Sequence, residues 1–327
     1  MITEFAFDKN FFDSKSLNTA GQSAAHDSIL QMWRDHGVLV SNPNKFNEFL
    51  ELIRKLPIKY QQRWKEALEY YRTSMVDSDW GDFCEYENFA KLKSLSSIFK
   101  TALADDEISQ ILADNEDSAM HCGITGFELL GAGAASESIN FQSCRTAGRT
   151  EIPFGTTAQA IWSEKIFPLA KYSKNITIID RYLYTRILDG LARGSTASGA
   201  LGFLRMLSDG DKKFNVTMIS GGEERNSTAY HEITNYFNVN IVNRPPIAKN
   251  LNSLTLISNH DNFFRDYAHE RFIRFDSHVC EIGVGMQIFE NHPSPMTSFS
   301  LKHSSETLFH EREKLSSKNI LWREFII

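Results

Sequence analysis

The residues of this chain best suited to chemistry lie between positions 268 and 290, AHERFIRFDSHVCEIGVGMQIFE. His269 and Arg271 stand two apart, and Asp276 follows. Arg271 to Phe275 mixes charged and apolar side chains over five residues, as a short strand does. In an extended strand, residues two apart point the same way, so the face opposite Phe272 presents an imidazole beside a guanidinium. That pair suits phosphate: a histidine can serve a phosphate site, and an arginine holds phosphate oxygens in a bidentate fork. Asp276 closes the strand, either as part of the site or as an ordinary turn residue. A second apolar strand then runs to Gly283, Val284 and Gly285.

The pattern His269-x-Arg271-x4-Asp276, followed by a Gly-containing strand, resembles the motif of the phospholipase D superfamily, His-x-Lys-x4-Asp. A closer similarity is to the phospholipase D-like C-terminal domain of MIT (microtubule-interacting and trafficking) proteins. It is carried by HERFIRFD, EIGVGMQIFE, a Phe-Ser-Leu strand and ETLFHEREKLSSKNI, with His269, Arg271, Gly283, Gly285, Phe289, Thr307 and His310 as the shared points. It covers about residues 166 to 327 and does not reach the first 160. The superfamily resemblance implies His269 as a nucleophile on phosphorus, Arg271 as the clamp on non-bridging oxygens, and no metal or other cofactor. Two motifs build one active site in that superfamily, and this chain has one, which implies a homodimer. Arg271 stands where the superfamily has Lys, and a planar fork does not replace a compact ammonium freely, so phosphate binding survives the change more readily than turnover. The MIT-type domain is a dimeric, non-catalytic binder of acidic phospholipid.

Two further residues bear on this site. Arg181 follows the strand ending at Asp180, at the sheet edge where open α/β folds place ligands; Asp180 there reads as a cap for the next helix. His310-Glu311-Arg312 repeats the letters of His269-Glu270-Arg271, but a helical setting would separate His310 from Arg312. His310 is therefore a site-adjacent or core histidine. Lys212, Lys213 and Arg225 read as scattered surface charges, or as the flank of a nucleic-acid groove.

These residues need a scaffold. From Ile161 onward, strands alternate with helices: Asn175 to Asp180, Phe214 to Ser220, Val239 to Val242 and Leu254 to Ile257 as strands, Tyr182 to Leu207 and Glu224 to Phe237 as helical stretches. This predicts a mostly parallel sheet covered on both faces. The first 24 residues read as an irregular lead-in, and Ser28 to Leu112 as successive helices. The expected organisation is a mainly helical N-terminal region over 1–160 with a Gly-rich segment at 121–157, then a phospholipase D-like mixed α/β sandwich domain over 161–327. GFELLGAGAAS invites a phosphate-loop reading, but it lacks the terminal Gly-Lys-Ser/Thr and reads as a turn. Asn140 to Arg149 offers a strand followed by a basic loop.

Composition sets the outer bounds. At 327 residues, 42% hydrophobic and 23% charged, the chain is that of a globular protein. Its net charge of -6 advertises no general affinity for nucleic acid, although a local basic groove can sit on an acidic protein. Cys84, Cys122, Cys144 and Cys280 form no CxxC pair, and the N-terminus lacks the features of a signal peptide, so a cytoplasmic protein with reduced thiols is expected. Two functions follow. One is a metal-independent phosphodiesterase, a nuclease in a bacterial defence or nucleic-acid-processing setting. The other is a non-catalytic binder of nucleic acid or phospholipid, or a structural subunit docking through its N-terminal region. The sequence shows no amphipathic membrane face, so nucleic acid is the preferred ligand over acidic phospholipid.

Overall fold

The computed structural model describes residues 1–19, 23–113, 119–290 and 292–327. The chain divides into two compact units, Met1–Ala147 and Gly148–Ile327. The division falls before the expected boundary near residue 160. Helix Ile139–Ala147 belongs to the first unit because Phe141 packs edge-on to Phe5, with ring centres 5.7 Å apart. Ile152 already belongs to the second, exchanging backbone hydrogen bonds with Thr297.

The first unit is α/β and not mainly helical. Its six strands are β1 (Thr3–Phe7), β2 (Gly37–Ser41), β3 (Thr73–Met75), β4 (Thr101–Ala104), β5 (Ala119–Cys122) and β6 (Phe127–Gly131), in the order β3-β2-β1-β4-β6-β5. All neighbours are parallel except β5 with β6. The expected lead-in therefore contains a central strand. Residues 20–22 of that segment lie outside the described residues. β1, β2, β4 and β6 are short apolar runs buried along almost their whole length, as parallel strands covered on both faces must be. An aromatic cluster around Phe7, Trp33 and Trp64 fills one face, and a second around Phe83, Phe99 and Phe127 fills the other. The segment expected as a strand and basic loop after Asn140 is helix Ile139–Ala147.

The second unit is a mixed α/β domain. β7 (Asn175–Ile179), β8 (Phe214–Gly221) and β9 (Leu251–Asn259) are parallel and central. β10 (Phe272–Phe275), β11 (His278–Ile282) and β12 (Phe299–His303) extend the sheet antiparallel from β7, and β13 (Ile320–Phe325) pairs antiparallel with β9. The order is β12-β11-β10-β7-β8-β9-β13. The expected strand at Val239–Val242 is instead a helical turn, Asn238–Val242, continuing helix Thr228–Phe237. Only Ile241 of its apolar residues is buried, and Val239 and Val242 are exposed; so short an apolar run does not distinguish a helix from a strand. Among the described residues, no helix is long and apolar enough to cross a membrane.

Candidate functional site

The register of β10 decides which motif residues can meet. Phe272 pairs with Ile179 at the C-terminal end of β7, and Phe275 pairs with Ile176 near its start. Arg271, just before β10, therefore sits beside Asp180, just after β7. Arg271 Nε lies 3.9 Å from Asp180 Oδ1, and the guanidinium donates through Nη1 to the carbonyl of Gly283. Arg271 Nε is buried and has no hydrogen-bond partner.

Asp180 is buried and holds three segments together. Its Oδ1 accepts from Tyr182 N at 3.0 Å, a turn ahead of helix Leu183–Ala192 and not the helix cap expected from the sequence, since the cap position is Tyr182, and its Oδ2 accepts from Met286 N at 2.9 Å. Gly285 has φ of 64°, and a Cβ there would lie 2.2 Å from Asp180 Oδ2. The glycine is required by both backbone and space. Gly283 supplies the carbonyl that Arg271 grips, and Val284 the carbonyl that accepts from Arg186 Nη1 at 3.1 Å.

Arg181 reaches the same edge, with its fork closed on Asp261 at 2.9 and 2.6 Å. Tyr182 is exposed, and the guanidinium carbons of Arg271 and Arg181 lie 5.2 and 5.4 Å from its ring centre. Contacts at this distance carry cation–π attraction. Sequence reading missed Tyr182 and Arg186. The available signal was the Asp-Arg-Tyr run directly after a buried parallel strand, where open α/β sheets place their ligands.

Two of the three motif residues depart from expectation. His269 lies in the loop ahead of β10, exposed, so the strand argument for its sharing a face with Arg271 does not apply. Asp276 occupies the hairpin between β10 and β11, at the far end of β10 from Arg271. Its carboxylate accepts from Lys174 N, Asn175 N and Asn175 Nδ2 at 2.8 to 3.0 Å, fastening the start of β7. Asp276 is thus apart from the Arg271 site, because a four-residue strand separates its two ends by roughly 10 Å.

His310 lies on helix Phe309–Ser316, exposed, with Nδ1 3.5 Å from Glu313 Oε2. Glu313 pairs with Arg274, so His310 belongs with Arg274 and not with Arg271. Lys212 donates to the carbonyls of Ala170 and Lys171, and Arg225 faces Glu324 at 3.5 Å. Neither forms part of the site.

The Gly-rich segment of the first unit does follow a strand and precede a helix. β6 ends at Gly131, and a short helical turn leads to helix Ile139–Ala147. Yet Gly133 N–H donates to Asp106 Oδ1 at 2.9 Å, while Ser14 and Ser16 hydroxyls donate to Oδ2 at 2.6 and 2.7 Å. Burial works against the charged carboxyl, and these hydrogen bonds outweigh it, holding the Asp106 pKa below its ordinary value. The anion that this loop receives is the protein's own carboxylate. Among the described residues, no group of three or more His, Cys, Asp or Glu is placed to hold a metal ion.

Comparison of the chain with protein-family models and with curated proteins gives no match in either.

Proposed function

We propose that the second unit is a phospholipase D-like domain that recognises a phosphate group on nucleic acid through Arg271, without turnover. The observation that carries this reading is the state of the Arg271 guanidinium. It is fixed at the carboxyl edge of the parallel strands by Gly283 and Asp180, while 23% of the side chain stays exposed. A phosphate oxygen can approach the guanidinium from that exposed side. Tyr182, exposed beside it, offers a ring face on which a base can stack. Asp276, fastened elsewhere, leaves the hydrolytic motif ungathered within one chain.

A second reading is a metal-independent phosphodiesterase with His269 as nucleophile. It is favoured by one observation, the exposed imidazole two residues ahead of Arg271. In that reading a homodimer brings two copies of the motif to one active site.

The deciding experiment incubates the protein with labelled single- and double-stranded DNA and RNA in EDTA, and follows binding by anisotropy and cleavage on gels. Binding without cleavage, weakened at least tenfold in Arg271→Ala, is the expected result. EDTA-resistant cleavage lost in His269→Ala would replace it with the hydrolytic reading. Binding unchanged in Arg271→Ala would overturn the assignment of the site.

A further inference from the structure

The three central strands of the second sheet share a pattern along one face. β7 places Asn175, Thr177 and Ile179 there, β8 places Asn215, Thr217 and Ile219, and β9 places Ser253, Thr255 and Ile257. The register aligns them row by row: Asn175 with Asn215 and Ser253, Thr177 with Thr217 and Thr255, Ile179 with Ile219 and Ile257. The isoleucine row is covered by Phe263, Phe264 and Phe309. Asn175, Thr177, Asn215 and Thr217 line an open pocket of about 390 Å³, which Ile219 and Ile257 also border. Parallel strands are usually apolar on both faces because helices cover both. The amide row is largely satisfied within the protein, Asn175 Nδ2 donating to Asp276 and Ser253 Oγ to Asn215 Oδ1, so the threonine hydroxyls are the main groups left to a polar occupant.

The lining specifies its chemistry. Asn215 Nδ2 donates to Asn175 Oδ1 at 2.9 Å, which orients the amides. Arg274 is already satisfied: it donates to Glu313 at 2.5 and 3.2 Å, to Thr177 Oγ1 at 3.1 Å and to the Asp276 carbonyl at 2.8 Å. The Glu313 charge is thereby answered inside the pocket wall. Arg323, from β13, also lines the pocket, and among the described residues its guanidinium has no hydrogen-bond or ion-pair partner. The uncompensated charge of the pocket is thus positive. Thr217, Ser316 and Ser317 supply hydroxyls, and the lining contains no aromatic ring on which a nucleobase could stack.

We propose that this half-face binds a small, hydroxyl-rich anion of the sugar-phosphate class, with Arg323 on the phosphate and Thr177, Thr217 and Asn215 on the hydroxyls. The pocket volume is in the range that holds one small molecule. The site is separate from Arg271 and does not rest on the reading given for it.

Ribose 5-phosphate is the probe, with inorganic phosphate as the comparison, titrated calorimetrically into the full chain. Saturable binding of ribose 5-phosphate is expected, tighter than that of inorganic phosphate. Arg323→Ala, at an exposed position, should weaken it at least tenfold, and Thr217→Val several-fold, while Arg271→Ala leaves it unchanged. Absence of saturable binding overturns the proposal. So does equal affinity for inorganic phosphate, which would leave the hydroxyl rows idle. Binding that survives Arg323→Ala, or that is lost in Arg271→Ala, would place the ligand elsewhere and likewise overturn it.

Discussion

Asp180 and Arg271 approach to 3.9 Å across the end of the second sheet, although 90 residues separate them in the chain. Asp180 is 1% exposed, so its charge has little water to rely on. It is held by two backbone N–H groups and the nearby guanidinium. A buried carboxylate so arranged fixes the position of the cation beside it, and the cation is the group available to a ligand.

Gly285 is the point at which this arrangement is most easily broken. Gly285→Ala forces a side chain into φ of 64° and onto the Asp180 carboxylate. The left-handed backbone alone costs about 1–2 kcal/mol, and the displaced Met286 N–H bond adds to it. The variant should unfold at lower urea and lose Arg271-dependent oligonucleotide binding. Unchanged stability and affinity would show that Asp180 does not set the position of Arg271.

Asp276 should behave as a structural residue, not a catalytic one. It adopts φ of 46°, which Asn tolerates better than most residues, and it accepts three hydrogen bonds at the start of β7. Asp276→Asn should keep most of the stability, while Asp276→Ala loses about 1–2 kcal/mol. Both should bind oligonucleotide as tightly as the parent chain. A large loss of binding in a folded Asp276→Asn would return this residue to the site.

The parts of the fold legible in the sequence were those with polar borders. Asn175-Ile176-Thr177-Ile178-Ile179-Asp180 reads as a strand because an apolar run ends abruptly on both sides, and β8 and β9 read for the same reason. β1, β2 and β4 were hidden because TEFAF, GVLVS and TALA are too short for periodicity to separate a buried strand from a buried helix. The same ambiguity turned Val239–Val242 into an expected strand. Within the site, spacing identified Arg271, Gly283 and Gly285, since these are local in sequence. Asp180 and Tyr182 join them only through the pairing of β10 with β7, a register that no local pattern states. The error at Asp276 has that cause too, because which end of a strand faces the site is a property of the sheet.

His36 gives the first unit a pH dependence of known sign. It is largely buried and donates from Nδ1 to the carbonyl of Met1 at 2.9 Å. Burial, with the positive N-terminus beside it, pushes its pKa down to about 4. The unfolded chain, titrating near 6.5, takes up the proton first, so this contribution to stability is present above about pH 6.5 and is lost as pH falls towards 4. Allowing for partial exposure, the loss is about 2 kcal/mol over that interval. Carboxylates titrate in the same window, so the measurement is a difference: urea unfolding of the parent chain and of His36→Gln at about pH 7.5, 5.5 and 4.5. The parent should lose more stability on acidification than the variant, whatever offset the substitution itself introduces. Parallel pH profiles for the two chains would mean that His36 is as readily protonated folded as unfolded.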